Sequence, residues 1–302
     1  MADRKKKGRD ISGILILDKP LNISSNQAVQ RVKRLFGAKK VGHTGSLDPL
    51  ASGVLPICLG HATKVSQYLL ASDKTYQFTM RLGQTTSTGD VEGEVVCEKK
   101  IPDIELVSLN KLLNKFTGEI QQIPPMYSAL KHNGQRLYAL ARQGQTVERP
   151  ARKVIIKSLA LLSKTAHNLT LEVCCTKGTY VRTLAEDIGD ALGCGAHVSF
   201  LRRIQTGPFI LREAITLEQL ESAQGNLLAL DSLLQSLDLA LQDYPMISVS
   251  EEDKAHLCLG RPIQVEQAVC EPLIRLNDSQ GKIFGLGKGA KDHQLAPVRI
   301  FV

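Results

Sequence analysis

Between Lys74 and Leu82 the chain alternates without a break: Tyr76, Phe78, Met80 and Leu82 fall on one face, and Thr75, Gln77, Thr79 and Arg81 on the other. A period of two over that length cannot make an apolar stripe on a helix, so it predicts a strand with one buried face. Residues 169–175 repeat the pattern through Leu169, Leu171, Val173 and Cys175, and 153–162 reads as a third strand. One-sided strands belong to antiparallel sheets, whereas the strands of doubly wound parallel sheets read as continuous apolar runs. The expectation is therefore an α+β chain built on a mainly antiparallel sheet.

Around these strands the other elements can be placed by their punctuation. Residues 14–17 form a short apolar run stopped by Asp18-Lys19-Pro20, read as a buried strand entering a turn. Ser24 or Ser25 caps a helix whose apolar positions Ala28, Val29, Val32, Leu35 and Phe36 keep the 3.6-residue period until Gly37. Glycines 42, 45, 53 and 60 with prolines 49 and 56 make 40–60 an ordered irregular loop, the kind of segment that carries chemistry on a rigid scaffold. Residues 105–116 read as helical. Residues 122–152 form a basic excursion with a short helix near 137–142, typical of a substrate clamp. Thr179 opens a helix with Val181, Leu184, Ala185, Ile188 and Leu192 inward and Gly193 at its end, and Thr216 with Gln219 forms a capping box. Past Pro245 the pattern breaks into short strand-like pieces, among them 273–276 and 282–286, which places a domain boundary near Pro245.

Charge narrows the partner. Lys and Arg outnumber Asp and Glu by 38 to 30, yet 213–253 holds nine acids and no Lys or Arg, so the remainder of the chain is strongly basic. From Lys19 to Leu47 there are six cations and no acid, and from 124 to 157 seven cations face only Glu148. Either run alone reads equally as a solvated face; the two together favour a phosphate-bearing partner. The seven cysteines form no CxxC pair and are read as reduced thiols of a cytoplasmic protein. Cys194 and His197 have metal-like spacing without a second pair, so a packed cysteine and a structural histidine are expected there and no metal. Lys5-Lys6-Lys7 precedes an apolar run too short and too soon charged for an export signal, and no stretch nears the ~18 apolar residues of a spanning helix. Hence no membrane partner is expected.

The most unusual segment is 42–55, Gly-His-Thr-Gly-Ser-Leu-Asp-Pro-Leu-Ala-Ser-Gly-Val-Leu, in which Asp48 is the sole acid between Lys19 and Ser72. It lacks the Gly-Lys-Ser/Thr ending of a phosphate-cradling loop, which argues against an NTPase. Asp48 reads either as a catalytic carboxylate or as a turn-capping residue before Pro49. Lys177-Gly178-Thr179-Tyr180-Val181-Arg182 sits at a strand-to-helix junction; placed against the first loop, Arg182 would pair with Asp48 and favour its charged form. Without that pairing it is an ordinary surface arginine. Tyr76, on its strand, reads first as a core aromatic.

The 42–55 segment strongly resembles the catalytic motif of the bacterial TruB-type tRNA pseudouridine synthases. Lys177–Arg182 and Phe200-Leu201-Arg202-Arg203 resemble that family's later motifs in the right order, and Ile16-Leu17-Asp18-Lys19-Pro20 and Lys74–Phe78 also match. The resemblance covers essentially the whole chain. It implies a pseudouridine synthase fold, a mixed and mainly antiparallel sheet flanked by helices, with a thumb-like insertion at 122–152 and a small C-terminal PUA-like β domain at 247–302. The catalytic domain would be 11–245, behind a basic arm at 1–10. By the same resemblance Asp48 is the catalytic aspartate, Arg182 its ion-pair partner, and Tyr76 the residue that stacks on the base and takes part in proton transfer. His43 would hold the flipped-out loop, Tyr180 and Leu201 would line the base pocket, and Lys19, Pro20 and Lys64 would lie near the site. The implied reaction is conversion of uridine 55 in the T loop of tRNA to pseudouridine, without cofactor, by a monomer.

That chemistry breaks the N1–C1′ bond, turns the uracil and joins C5 to C1′, which calls for a carboxylate, an enclosed pocket and a proton acceptor. Attack at C1′, addition at C6 and elimination to a glycal all remain open for Asp48. Two other readings share the charge pattern: a non-catalytic RNA-binding or chaperone protein, and a synthase acting on another RNA, as do eukaryotic relatives with guide-RNA partners. The lack of long Lys-rich extensions ranks the latter below tRNA modification.

Overall fold

The computed structural model describes residues 8–266, 271–291 and 293–301. The lysine cluster of the N-terminal arm and Cys270 lie outside them.

Among the described residues ten strands form one sheet, with the main order Ile215–Thr216, Gly13–Lys19, Ala51–Leu59, Ala196–Thr206, Lys74–Leu82, Asn168–Cys175, Arg152–Lys164 and Gly118–Gln122. The 13–19 strand runs parallel to 215–216, and 51–59 runs parallel to 196–206; the other pairings are antiparallel, so the sheet is mixed and mainly antiparallel as expected. The period-two alternation sets the core. Phe78, Met80 and Leu82, with Leu169, Leu171, Val173 and Cys175 beside them, bury one face against Leu184, Ala185 and Ile188 of the Val181–Ala191 helix.

Two expectations change. The first strand does not stop at Asp18 but continues through Lys19, paired residue for residue with 53–59. Residues 51–59, expected to be irregular loop, form a strand buried along its whole length. Leu55, Ile57 and Leu59 pack into the main core, while Val54 and Cys58 face a second cluster shared with Ile14, Ile16, Val65, Leu69 and Phe209. With both faces buried there is no polar alternation to read, and its glycine and proline look like loop residues. Pro56 is tolerated because its carbonyl points away from the first strand and accepts from Thr44 N–H at 3.2 Å, so its missing N–H is on that same side and breaks no bond to the first strand. Gly53, at φ +105°, is needed because a Cβ there would lie 2.1 Å from the Arg203 carbonyl oxygen.

The C-terminal strands form a five-stranded sheet ordered Met246–Ser248, Ile274–Asn277, Ile283–Ala290, Gln294–Ile300 and Ile263–Gln264, and two short hairpins, Gln84–Thr86 with Val95–Glu98 and Lys131–His132 with Gln135–Arg136, stand apart from both sheets. Ile283, Leu286 and Phe301 join the second cluster and so pack this sheet against the large one. A helix at Glu251–Cys258, capped by Ser250, was not legible in the sequence because Leu257 is its one buried residue and gives no stripe. No described helix is long and apolar enough to cross a membrane.

Gly53→Ala is expected to cost more than about 3 kcal/mol, since a disfavoured φ and a backbone clash act together. Urea unfolding of both proteins checks this, and a wild-type midpoint in the variant contradicts the close approach of the two strands.

Candidate active site

Asp48 lies on a loop fixed from several sides. Ser24 caps the Ser25–Leu35 helix, which leaves Ser25 free to clamp Leu47: its hydroxyl donates to the Leu47 carbonyl at 2.9 Å and accepts from the Leu47 N–H at 2.7 Å. Asn22 N–H donates to the Pro49 carbonyl, and Asp48 itself closes a turn with Ala51 N–H. His43 accepts the Gly45 N–H on Nδ1 at 3.2 Å, and burial, helped by the charge of Arg203, pushes its pKa down and keeps the ring neutral. Arg203 reaches the same turn, donating from Nη2 to the Gly45 carbonyl at 3.1 Å and from Nε to the Val54 carbonyl at 2.7 Å.

Arg182 arrives from the opposite direction as the second residue of its helix. Gln122 holds the preceding Tyr180 by its N–H at 3.0 Å and its carbonyl at 3.3 Å, which fixes the helix start. The guanidinium, 6% exposed, is 2.9 Å from Asp48 Oδ2 and 3.2 Å from Asp90 Oδ2, and donates to the carbonyls of Thr88 and Tyr127. Asp90 is fully enclosed, while Asp48 keeps 45% of its side chain exposed. One carboxylate is thus structural and the other presented. A buried cation with two carboxylates and two carbonyls is fully compensated, and removing one partner of such a pair costs about 3–5 kcal/mol.

Asp48 and Arg182 border a cavity of about 270 Å³ whose walls include Tyr76, Tyr180, Leu201, Lys74 and Arg203, with Tyr127, Ser128 and Ala129 from the base of the basic excursion. Five residues singled out in the sequence, Asp48, Tyr76, Arg182, Tyr180 and Leu201, therefore meet. Burial pushes the Tyr76 and Tyr180 phenols up, with Arg203 opposing at Tyr76. His43 supports the loop without lining the cavity. Lys19 is completely buried beneath it, donates to the Pro20 and Ile23 carbonyls, and is pushed down to about 8 by burial, with the charge of Asp48 opposing. Pro20 acts through that carbonyl. Lys64 is not brought to the cavity: it donates to the Ile300 carbonyl and borders a groove formed with the C-terminal sheet. Cys194 is packed in the core and His197 Nδ1 lies 3.1 Å from the Gln84 carbonyl, the packed cysteine and structural histidine expected of that pair.

The sequence reading missed Asp90, Gln122 and the part played by Arg203. Asp90 sits in a Ser-Thr-Gly-Asp turn in which Thr88 donates to its Oδ1 and Glu92 N–H to the same oxygen. That composition signals a turn, but nothing in it points to Arg182, ninety residues away. Glu186, one helical turn beyond Arg182, is pushed up to about 7 by burial, with Arg182 opposing. Its folded pKa exceeds the ordinary 4.5, so the stability contributed by the neutral carboxyl is complete below pH 4.5 and is lost as pH rises through about 7. Glu186→Gln is expected to melt about 2–4 °C above wild type at pH 8, with the gap closing towards pH 4.5. Thermal melts at both pH values test this; a gap independent of pH contradicts it.

Comparison with known proteins places this geometry. Residues 33–181 match the TruB family pseudouridylate synthase N-terminal domain, 182–242 the tRNA pseudouridylate synthase B C-terminal domain, and 245–301 the pseudouridine synthase II TruB C-terminal region. The chain is 51% identical to tRNA pseudouridine synthase B of Pseudomonas paraeruginosa (strain DSM 24068 / PA7) over 302 residues, 99% of each chain, and equally so to that of Pseudomonas aeruginosa (strain UCBPP-PA14). Among solved structures it resembles a chain of the Cbf5-Nop10-Gar1 complex at 25% identity and a TM-score of 0.75, covering 96% of this chain and 85% of that one. A chain of the archaeal box H/ACA sRNP Nop10-Cbf5 complex, at 23% identity and 0.73, shares the fold, and the C-terminal sheet accords with a PUA-like domain. With such identity along its whole length, this chain belongs to the TruB family and is a pseudouridine synthase.

Proposed function

We propose that the protein isomerises uridine 55 in the T loop of tRNA, with Asp48 as the catalytic carboxylate acting on a base flipped out of its stack. The observation that carries this reading is the Asp48–Arg182 pair, which presents one half-exposed carboxylate at the mouth of a cavity with room for a single nucleoside. A uridine inside a folded loop cannot reach such a site without leaving its stack, at a cost of a few kcal/mol. Tyr76 returns part of this by stacking, about 1–3 kcal/mol per base. Tyr180 and Leu201 enclose the base, and His43 fills the vacated space and so helps hold the flipped-out form. The substrate assignment draws on relatives that carry tRNA in their names at 51% identity.

In the same proposal residues 11–245 are the catalytic unit, 122–152 the clamp and 247–302 an RNA-binding domain, working as a monomer in the cytoplasm. The six described cysteines are free, in keeping with a reducing compartment. The clamp assignment rests on its exposed Lys131 and Arg136 and on Tyr127, Ser128 and Ala129, which its base lends to the cavity.

Tritium release from tRNA transcripts carrying 5-³H-uridine tests the reaction. Wild type is expected to release one tritium per tRNA and Asp48→Asn none, with tRNA binding retained in both. Binding without release by wild type would leave a non-catalytic RNA-binding protein, and release only from ribosomal RNA fragments would redirect the substrate. For the clamp, Lys131→Gln with Arg136→Gln is expected to weaken tRNA binding and to flatten the plot of log K against log salt by about 0.7–0.9 for each phosphate that is no longer neutralised. An unchanged slope removes these residues from the RNA interface.

A further inference from the structure

Among the described residues Arg203 is the largest completely enclosed side chain, 1% exposed, and no described carboxylate lies within ion-pair distance of it. Its neighbour Arg202 has a counter-ion, Asp18, at 2.6 Å, and Arg182 has two. Arg203 instead spends Nε and Nη2 on two backbone carbonyls, Val54 and Gly45. Nη1 is bonded to neither carbonyl: it lies 3.6 Å from where a Cβ on Gly45 would sit, and Arg203 and Gly45 both border the catalytic cavity. In the sheet Arg203 stands directly opposite Tyr76, and its guanidinium interacts with that phenol. Burial lowers the proton affinity of Lys74, which lines the cavity, and of Lys19 and His43, and the charge of Arg203 lowers each of them further. A desolvated cation without a counter-ion is costly to maintain, and an anion formed in the cavity would remove that cost.

We propose that Arg203 is a catalytic residue whose Nη1 donates to a carbonyl oxygen of the uracil and stabilises the negative charge the base acquires when it leaves the ribose. This rests on the isomerase reading. When N1–C1′ breaks, the bonding electron pair stays with the base, which becomes an anion spread over N1 and the carbonyl oxygens. Asp48 meets the electron deficiency left at the ribose, by bonding to C1′ or by promoting loss of a C2′ proton. After the base turns, C5 uses the electron pair to form the new bond to C1′ as the Asp48–C1′ bond breaks or, on the elimination route, as C2′ takes back its proton; the proton on C5 then departs, N1 takes up a proton, and uracil is neutral again. No oxidant, reductant or co-reactant enters. Arg203 is placed to act in the interval between bond breaking and bond making, when the base is detached and charged, and its ties to Val54 and Gly45 keep it from following the base as it turns.

The test is a leaving-group comparison. Single-turnover conversion would be measured for wild type, Arg203→Gln and Arg203→Lys on tRNA transcripts carrying either uridine or 5-fluorouridine, by digestion and chromatographic separation of the C5-linked product from the starting nucleoside, with tRNA binding measured separately; 5-fluorouridine has no C5 proton to lose, so its product is the fluorinated C5-linked nucleoside with water added across N1 and C6. Fluorine withdraws electrons and stabilises the departing anion by itself. Arg203→Gln is expected to slow the uridine transcript by about 100-fold or more without losing tRNA binding, and the defect is expected to shrink several-fold on 5-fluorouridine. Arg203→Lys, which keeps the charge, is expected to fall between the two and carries the same comparison if the glutamine variant does not fold. An equal defect on both bases, or none on uridine, overturns the proposal and leaves Arg203 as a staple between strand and loop. Wild type inert on both transcripts overturns the isomerase reading, and this proposal with it.

Discussion

The structure turns on the enclosed guanidinium of Arg182. It can stay charged in a dry environment only because Asp90, Asp48 and two backbone carbonyls surround it, and those groups come from three separate parts of the chain. Asp90 brings in the turn after the Lys74–Leu82 strand, Tyr127 the base of the basic excursion, and Asp48 the glycine-rich loop. The ion pair is thus where four segments converge. The cost of leaving Arg182 uncompensated fixes their mutual positions more firmly than apolar packing alone would, because removing any partner exposes a desolvated charge.

The two carboxylates on Arg182 divide the work by exposure. Asp90 is enclosed and further satisfied by Thr88 and the Glu92 N–H, so it has no capacity left for a ligand. Asp48 gives one oxygen to Arg182 and keeps the rest open to the cavity. The loop bearing it is nevertheless rigid, since Ser25, Asn22, His43 and Arg203 each hold a neighbouring backbone group. A presented carboxylate on an immobile loop is what preorganised chemistry requires, because no reorganisation remains for the reacting step.

The C-terminal sheet contributes at a distance. It packs through Ile283, Leu286 and Phe301 against the face of the large sheet opposite the main core, where Ile14, Ile16, Val54 and Cys58 wait for a cover. Lys64 belongs to this contact, through the Ile300 carbonyl, and not to the cavity. The Gly13–Lys19 and Ala51–Leu59 strands therefore have two dry faces, and this explains why 51–59 could not be recognised by alternation.

The sequence by itself determined the class of fold and the identity of the main chemical groups. Period-two runs at 74–82 and 168–175 demand one-sided strands, the Ser24 and Thr216 boxes start helices where they stand, and a lone acid in a glycine-rich loop marks Asp48. These are local properties, set by stereochemistry and by the nearest neighbours along the chain. The tertiary structure alone decided that 51–59 is a strand, that Lys64 faces the second sheet, that Asp90 is the second partner of Arg182, and that Arg203 is enclosed without a counter-ion. Each depends on which residues far apart in sequence are brought together when water is excluded, and the energy of a buried charge or of a strand buried on both faces is a property of that assembly, which no stretch of sequence contains.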